Sequence, residues 1–241
     1  MSRTLFVSVA GAALALSTAC SSHDAATQSG APVNTAGLRD FHSVQSTGPD
    51  NVLITVGKDF AVKAEGSDRA MKVLEIKVVN GELRIGRKEG WMNMFGGMDE
   101  GATIRVSMPS IDSVGLTGSG DVDVDRAEGS ALDLSLTGSG NLKIGSAKVA
   151  MLTTDVTGSG NVALAGTADS AKLSTTGSGD VEGKGLKAGR ASVSVLGSGN
   201  VGFASDGPVD ISIMGSGDVD VKGKAQCKVS AMGSGDAHCS A

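Results

Sequence analysis

Apolar and polar positions alternate along most of this chain. Leu132-Leu134-Leu136, Val193-Val195 and Val209-Ile211-Ile213 are separated by small polar residues, and Val122-Val124, Leu142-Ile144, Val162-Leu164, Val201-Phe203 and Val219-Val221 continue the pattern. A period of two is that of a strand with one buried face. Between the two sets of strands stands Gly-Ser-Gly, beginning at Gly118, Gly138, Gly158, Gly177, Gly197, Gly215 and Gly233, with spacings of 20, 20, 19, 20, 18 and 18 residues. Each copy is followed by an acid or amide: Asp121, Asn141, Asn161, Asp180, Asn200, Asp218 and Asp236. The pattern predicts a unit of strand, tight corner, strand and looser turn. At the corner the first glycine and its partners Gly120, Gly140, Gly160, Gly179, Gly199, Gly217 and Gly235 supply backbone angles closed to other residues. The Asp or Asn can bond its own backbone there.

Two arrangements fit such units, an antiparallel meander or a solenoid of stacked parallel coils. The near-constant period and the return of each residue type at one offset favour stacking, because equivalent positions then share one environment. The position two before each corner reads Leu116, Leu136, Val156, Thr175, Val195, Ile213, Ala231, a core column. One residue earlier the outward column reads Gly115, Ser135, Asp155, Ser174, Ser194, Ser212, Ser230. The expected fold is all-β, a β-solenoid of the parallel β-helix kind with coils of about 18–20 residues. Residues 111–241 form its repeat body. Residues 39–110 lack the motif yet keep the alternation, and Asn80-Gly81 is a hairpin signal. They are expected to form a β-rich N-terminal cap continuous with the rod.

The ends of the chain carry different signals. Arg3, the apolar run Leu5–Leu16 and the small residues Ser17-Thr18-Ala19 make residues 1–19 a secretory leader, removed from the mature protein. Leu16-Ser17-Thr18-Ala19-Cys20 resembles a bacterial lipobox, although Leu lies four residues before the cysteine and Ser17 takes its usual place. Acylation of Cys20 would anchor the protein to a membrane; cleavage by ordinary signal peptidase would leave a free thiol. Residues 20–38 are small and polar and read as a flexible tether. Ser21 gives no inner-membrane retention cue, which points to the outer membrane. Of three cysteines, acylation of Cys20 leaves Cys227 and Cys239 as an even pair in an exported protein. Both fall on inward positions of the last coil, as a disulfide or as two packed thiols.

Composition removes some functions. The 241 residues include 36 Gly, one Trp, five Phe and no Tyr, and the net charge is −5. Aromatic residues at 2% cannot build the core, which must consist of thin layers of Ala, Val, Leu and Ile. The acidic balance argues against a nucleic-acid partner. The Asp/Asn column lacks the nine-residue period of calcium-binding β-rolls, and three of its seven members are Asn. Asp121-Val122-Asp123-Val124-Asp125 starts like an EF-hand, but Arg126 and Leu132 stand where Gly and Glu belong. Neither a metal site nor a cofactor is expected. His23, His42 and His238 neighbour no nucleophile in sequence, and no catalytic residues are assigned.

The corner repeats, the segment Phe41–Val56 with Gly48 ahead of Val52-Leu53-Ile54, and Val79-Asn80-Gly81-Glu82-Leu83-Arg84-Ile85 together resemble a bacterial envelope family, the auto-transporter adhesin head GIN domain. The resemblance spans about residues 39–223. It implies an exported, all-β, solenoid-type domain, commonly carried on lipoproteins, with no catalytic residues to transfer. With the chain ending at Ala241 there is no room for a translocating barrel, so a complete autotransporter is not expected.

The leading expectation is a non-enzymatic envelope lipoprotein, an adhesin or interaction module with a protein or glycan partner, held to the outer membrane by its lipid. A second is a periplasmic scaffolding protein that binds a partner through the apolar stretch Trp91, Met92, Met94, Phe95 and Met98. That stretch also reads as a lid over the first coil or as a lipid contact. An enzyme acting on polysaccharide comes third, on fold analogy alone.

Overall fold

The structure, a computed structural model, describes residues 35, 37–90 and 100–240. The chain runs β1 (Ser43–Gly48), β2 (Asn51–Val56), β3 (Ala61–Glu65), helix α1 (Asp68–Val73), β4 (Leu74–Val79), β5 (Glu82–Arg87) and β6 (Thr103–Met108). Then come β7 (Ser113–Gly118), β8 (Val122–Val124), β9 (Ala127–Gly138), β10 (Asn141–Gly158), β11 (Asn161–Gly177) and β12 (Val181–Ala188). The last are β13 (Ala191–Gly197), β14 (Val201–Ser205), β15 (Pro208–Gly215), β16 (Val219–Lys222), β17 (Gln226–Gly233) and β18 (Ala237–Ser240). Strand makes up 69% and helix 3%, and the strands wind into a parallel β-solenoid of about six turns.

Two walls meet at the Gly-Ser-Gly corner. The first stacks β5, β1, β7, β9, β10, β11, β13, β15 and β17 in parallel. The second stacks β6, β2, β8, the start of β10, the start of β11, β12, β14, β16 and β18. The column from Leu116 to Ala231 is one register line, and Ser46 precedes it. All its members before Ala231 are buried. Burial alternates from Leu132 to Leu136 in β9 and along β13, as the sequence pattern requires. The core therefore consists of thin aliphatic layers. Thr154 and Thr175 bury hydroxyls with no hydrogen-bond partner among the described residues.

A short third side closes the wider coils, with Ala127, Ala147, Gly166 and Leu186 in register. Beyond it β14 pairs with β12 through a register shift between Glu182 and Lys187. The third side is thereby absorbed, which is why the last two spacings fall to 18 residues. Phe203 fills the space at this taper, facing Gly183, where an added Cβ would lie 3.1 Å from the Phe203 Cβ.

Chain order and stacking order differ at the N-terminal end. The layer β1–β2 lies between β5–β6 and β7–β8. Gly48-Pro49-Asp50-Asn51 forms its corner, in register with Gly118 and its successors. It is a degenerate copy of the motif that the search for Gly-Ser-Gly passes over. Outside β5–β6 the stack ends in antiparallel strands. β4 folds back on β5 through Asn80-Gly81, both at positive φ, 53° and 78°, as the hairpin signal predicts. β3 runs back along β6. Between them α1, capped by Ser67 whose hydroxyl accepts from the Ala70 N–H at 3.2 Å, buries Ala70, Met71 and Val73. Phe41 and Phe60 stack beside it with ring centroids 4.9 Å apart.

The corners hold the layers at the minimum separation. Gly158 has φ 118°, and a Cβ there would lie 2.4 Å from the Gly138 carbonyl oxygen. Both the angle and the contact exclude a side chain. Gly158→Ala should therefore lower stability by about 2 kcal/mol or more, whereas Ser159→Ala, at the exposed tip of the same corner, should change it by less than ~0.5 kcal/mol. Chemical denaturation followed by circular dichroism checks the pair.

Candidate functional site

Each corner is tied to the next by a pair of hydrogen bonds on one carbonyl, and most corners by an Asp or Asn side chain as well. The carbonyl of Gly118 accepts from the N–H groups of both Ser139 and Gly140, at 2.9 and 3.1 Å. The same double bond recurs on Gly48, Gly138, Gly158, Gly177, Gly197 and Gly215. The Asp/Asn side chain works across layers rather than on its own backbone. Asp121 Oδ1 accepts from the Asn141 N–H and from Asn141 Nδ2, both at 2.9 Å. Asp180 does the same for Asn200, at 2.7 and 3.1 Å. Asn51, Asn161, Asn200 and Asp218 cap the backbone N–H of Asp121, Asp180, Asp218 and Asp236.

Stacked carboxylates about 4.8 Å apart would repel. The column from Asn51 to Asp236 interposes an amide everywhere except Asp218 over Asp236. The side-chain oxygens of Asn51, Asp121, Asn161, Asp180, Asn200 and Asp218 accept from backbone N–H groups, and no group of three His, Cys, Asp or Glu among the described residues is placed to hold a metal ion.

The first wall presents a flat outer surface. Gln45, Gly115, Ser135, Asp155, Ser174, Ser194, Ser212 and Ser230 form one outward column. Beside it runs a second: Thr47, Thr117, Thr137, Thr157, Thr176, then Leu196, Met214 and Met232. Sequence reasoning picked out the serines and missed this second column, although each member stands one residue before a corner. It changes character along the rod, from threonine to exposed apolar side chains: Leu196 is 47% exposed, Met214 54% and Met232 68%.

One charged pair is buried. Asp50 occupies the position that Gly120 and Gly140 hold in later corners, and is 0% exposed. Its carboxylate accepts from Arg87 Nη1 at 2.5 Å, Arg87 Nη2 at 2.9 Å and the Ala102 N–H at 2.7 Å. Arg87 ends β5 and Ala102 directly precedes β6, so Asp50 ties both strands of that layer to the corner between β1 and β2. Its place at the end of the coil makes it structural. His42 Nδ1 lies 2.9 Å from Asp112 at the surface. Its Nε2 faces Gly81 so closely that a Cβ there would sit 2.8 Å away, and the pair serves no nucleophile among the described residues. In the turn between β14 and β15, Asp206 pairs with Lys187 at 2.6 Å and caps the Lys224 N–H at 3.1 Å. The Lys187 hydrogen bond, then the Lys224 N–H, hold its carboxyl below the usual carboxylate range.

Cys227 and Cys239, on β17 and β18, are joined by a disulfide with Cα atoms 6.6 Å apart, linking the two walls in the last layer. Cys20 and the stretch Trp91, Met92, Met94, Phe95 and Met98 lie outside the described residues. Among the described residues no helix is long and apolar enough to cross a membrane.

The geometry defines a capped parallel β-solenoid with a ladder-bonded glycine corner and one flat, hydroxyl-rich wall. A family model described as "Putative auto-transporter adhesin, head GIN domain" matches residues 40–225, and the chain belongs to that family. A search of curated proteins returned no match. Among solved structures the fold is similar to that of a "putative adhesin" from Bacteroides fragilis, with 22% identity, TM-score 0.76, and 84% of this chain and 93% of that one covered. It is similar also to a "Putative lipid binding protein" from Parabacteroides distasonis, at 19% identity and TM-score 0.67 with the same coverages. A third is a "putative adhesin" from Parabacteroides merdae, at 17% identity and TM-score 0.64, with 85% and 93% covered.

Two outcomes follow from the polar groups. Asp180→Ala removes the acceptor of two Asn200 donors and should cost about 1–2 kcal/mol, with Asp180→Asn nearly neutral; millimolar-scale calcium or a chelator should leave the melting temperature unmoved, within ~2 °C. Asp50→Asn removes the charge facing the buried guanidinium and should destabilise by about 3 kcal/mol or more. Thermal and urea melts of the three variants read all of this.

Proposed function

We propose that this chain is a non-enzymatic, adhesin-type module of the cell envelope, exported by residues 1–19 and anchored through an acylated Cys20 on the tether 20–38. Its working surface is the flat first wall. The observation that carries this reading is the pair of in-register outward columns, Ser135 to Ser230 and Thr47 to Thr176. Hydroxyls recur there at about 4.8 Å from layer to layer, interrupted at Asp155, and at about 6.8 Å along a strand. A surface that repeats suits a partner that repeats, a cell-surface polymer or a regular protein layer, where many weak contacts sum to a firm one. Catalysis needs a singular cluster, and this wall offers the same group in layer after layer. The family description and the names of two similar structures support an adhesive role.

The test uses cells producing the full-length protein. Cys20→Ser should move the protein from the membrane to the soluble fraction. Surface protease should cut the wild type on intact cells. Ser194→Arg with Ser212→Arg should reduce attachment to immobilised envelope polymer by at least about tenfold while leaving the melting temperature intact. Full attachment by that double variant, or complete protection from protease, would overturn the reading.

A further inference from the structure

The two ends of the rod are finished differently. At the N-terminal end the edge strands are short and charged: β3 carries Lys63 and Glu65, and β4 carries Glu75 and Lys77 in an ion pair of 2.9 Å. Charges on an edge strand discourage pairing with another sheet. Helix α1 also covers the interior there, and the inward residues Val62, Leu74 and Ile76 are buried.

At the C-terminal end nothing among the described residues pairs with the outer edges of β17 and β18. Val229 points inward yet is 46% exposed, and Ala231 beside it is exposed. The Gln226 N–H donates back to Gly207. By the alternation of a strand, the backbone N–H and C=O groups of Cys227, Val229 and Ala231 therefore point off the end of the rod. In seven earlier layers the corner carbonyl accepts two N–H groups from the next coil. Gly233 presents the same carbonyl with no coil beyond it among the described residues. The disulfide between Cys227 and Cys239 ties the two walls of this last layer together, so the edge is held in shape.

We propose that this end is an interface for a second copy of the chain, joined end to end about a two-fold axis. The covered N-terminal end offers no matching edge, so head-to-tail stacking is excluded and the contact closes at two copies. The axis runs β17 antiparallel to the partner's β17. To keep inward side chains facing inward, odd-numbered residues must oppose odd-numbered ones. The register centred on Val229 meets this condition and pairs the three residues whose backbone groups point outward. It sets Val229 against its own copy and Ala231 against the partner's Cys227. Lys228 then faces the partner's Ser230 and Gln226 faces the partner's Met232, with no like charges opposed. Small inward residues continue the core across the junction, and the two serine walls join into one longer surface.

Sedimentation velocity of the full-length chain in mild detergent, from roughly 1 to 100 µM, tests this. The wild type should pass from monomer to dimer and no further. Val229→Lys places a charge on the edge at a position already half exposed, so the fold should melt as before while the dissociation constant rises at least about tenfold. Both proteins carry the same N-terminal segment, so shared micelles would affect them equally. A wild type that stays monomeric overturns the proposal, as do species larger than the dimer or a Val229→Lys variant that associates as well as the wild type.

Discussion

The rest of the structure depends on how closely successive corners approach. A carbonyl oxygen of one layer sits where the Cβ of the next would be, with separations of 2.1–2.5 Å at the first glycine and 2.0–2.2 Å at the second. Only glycine permits that approach, and only at that approach can one carbonyl accept two amide protons from the coil above. Once the corners superimpose, every position between them is brought into register. The core columns, the Asp/Asn ladder and the outward rows of Ser and Thr are consequences of that single contact. Aromatic side chains are few, and among the described residues they sit where the coil tapers around Phe203 or where the cap departs from the stack around Phe41 and Phe60.

A rod built this way is uniform by construction, and its individuality lies where uniformity breaks. Asp50 replaces a corner glycine and brings in the buried guanidinium of Arg87. The threonine row gives way to Leu196, Met214 and Met232. The third side disappears beyond Leu186. The first departure falls at the capped end and the other two from β12 onward, over the C-terminal coils, so the two halves of the rod differ in character. In quasi-one-dimensional proteins the terminal units are the ones that differ, and here they differ from each other.

Much of this was legible in the sequence because the repeat states one environment seven times. The strand alternation, the corners, the inward column ending at Ala231 and the outward serines could all be read from offsets. Three things could not. The Asp/Asn side chains bond the neighbouring layer, and a reading confined to one unit sees only their own backbone. The corner Gly48-Pro49-Asp50-Asn51 has lost the motif, so nothing local marks it as a layer. The insertion of β1–β2 between later strands is a matter of topology, set by which edge each strand finds free. The threonine-to-methionine row was present at a fixed offset and needed only a further column to be aligned.

That insertion has a consequence for how the molecule is made. A solenoid ordinarily grows by addition, each coil settling on the one before. Here β1 and β2 have their neighbours in β5–β6 on one side and β7–β8 on the other. As the chain emerges from its N-terminus, β1 and β2 find their first neighbours, β5 and β6, only about 35 to 50 residues later and their second, β7 and β8, about 65 residues later. Folding therefore divides into a slow assembly of the capped end, dominated by contacts distant in sequence, and a fast winding of the remaining coils, each closing a loop of about 20 residues. Synthesis from the N-terminus delivers the chain in the order that this division needs. The difficult end arrives first, and the repeats wait in line to wind onto it.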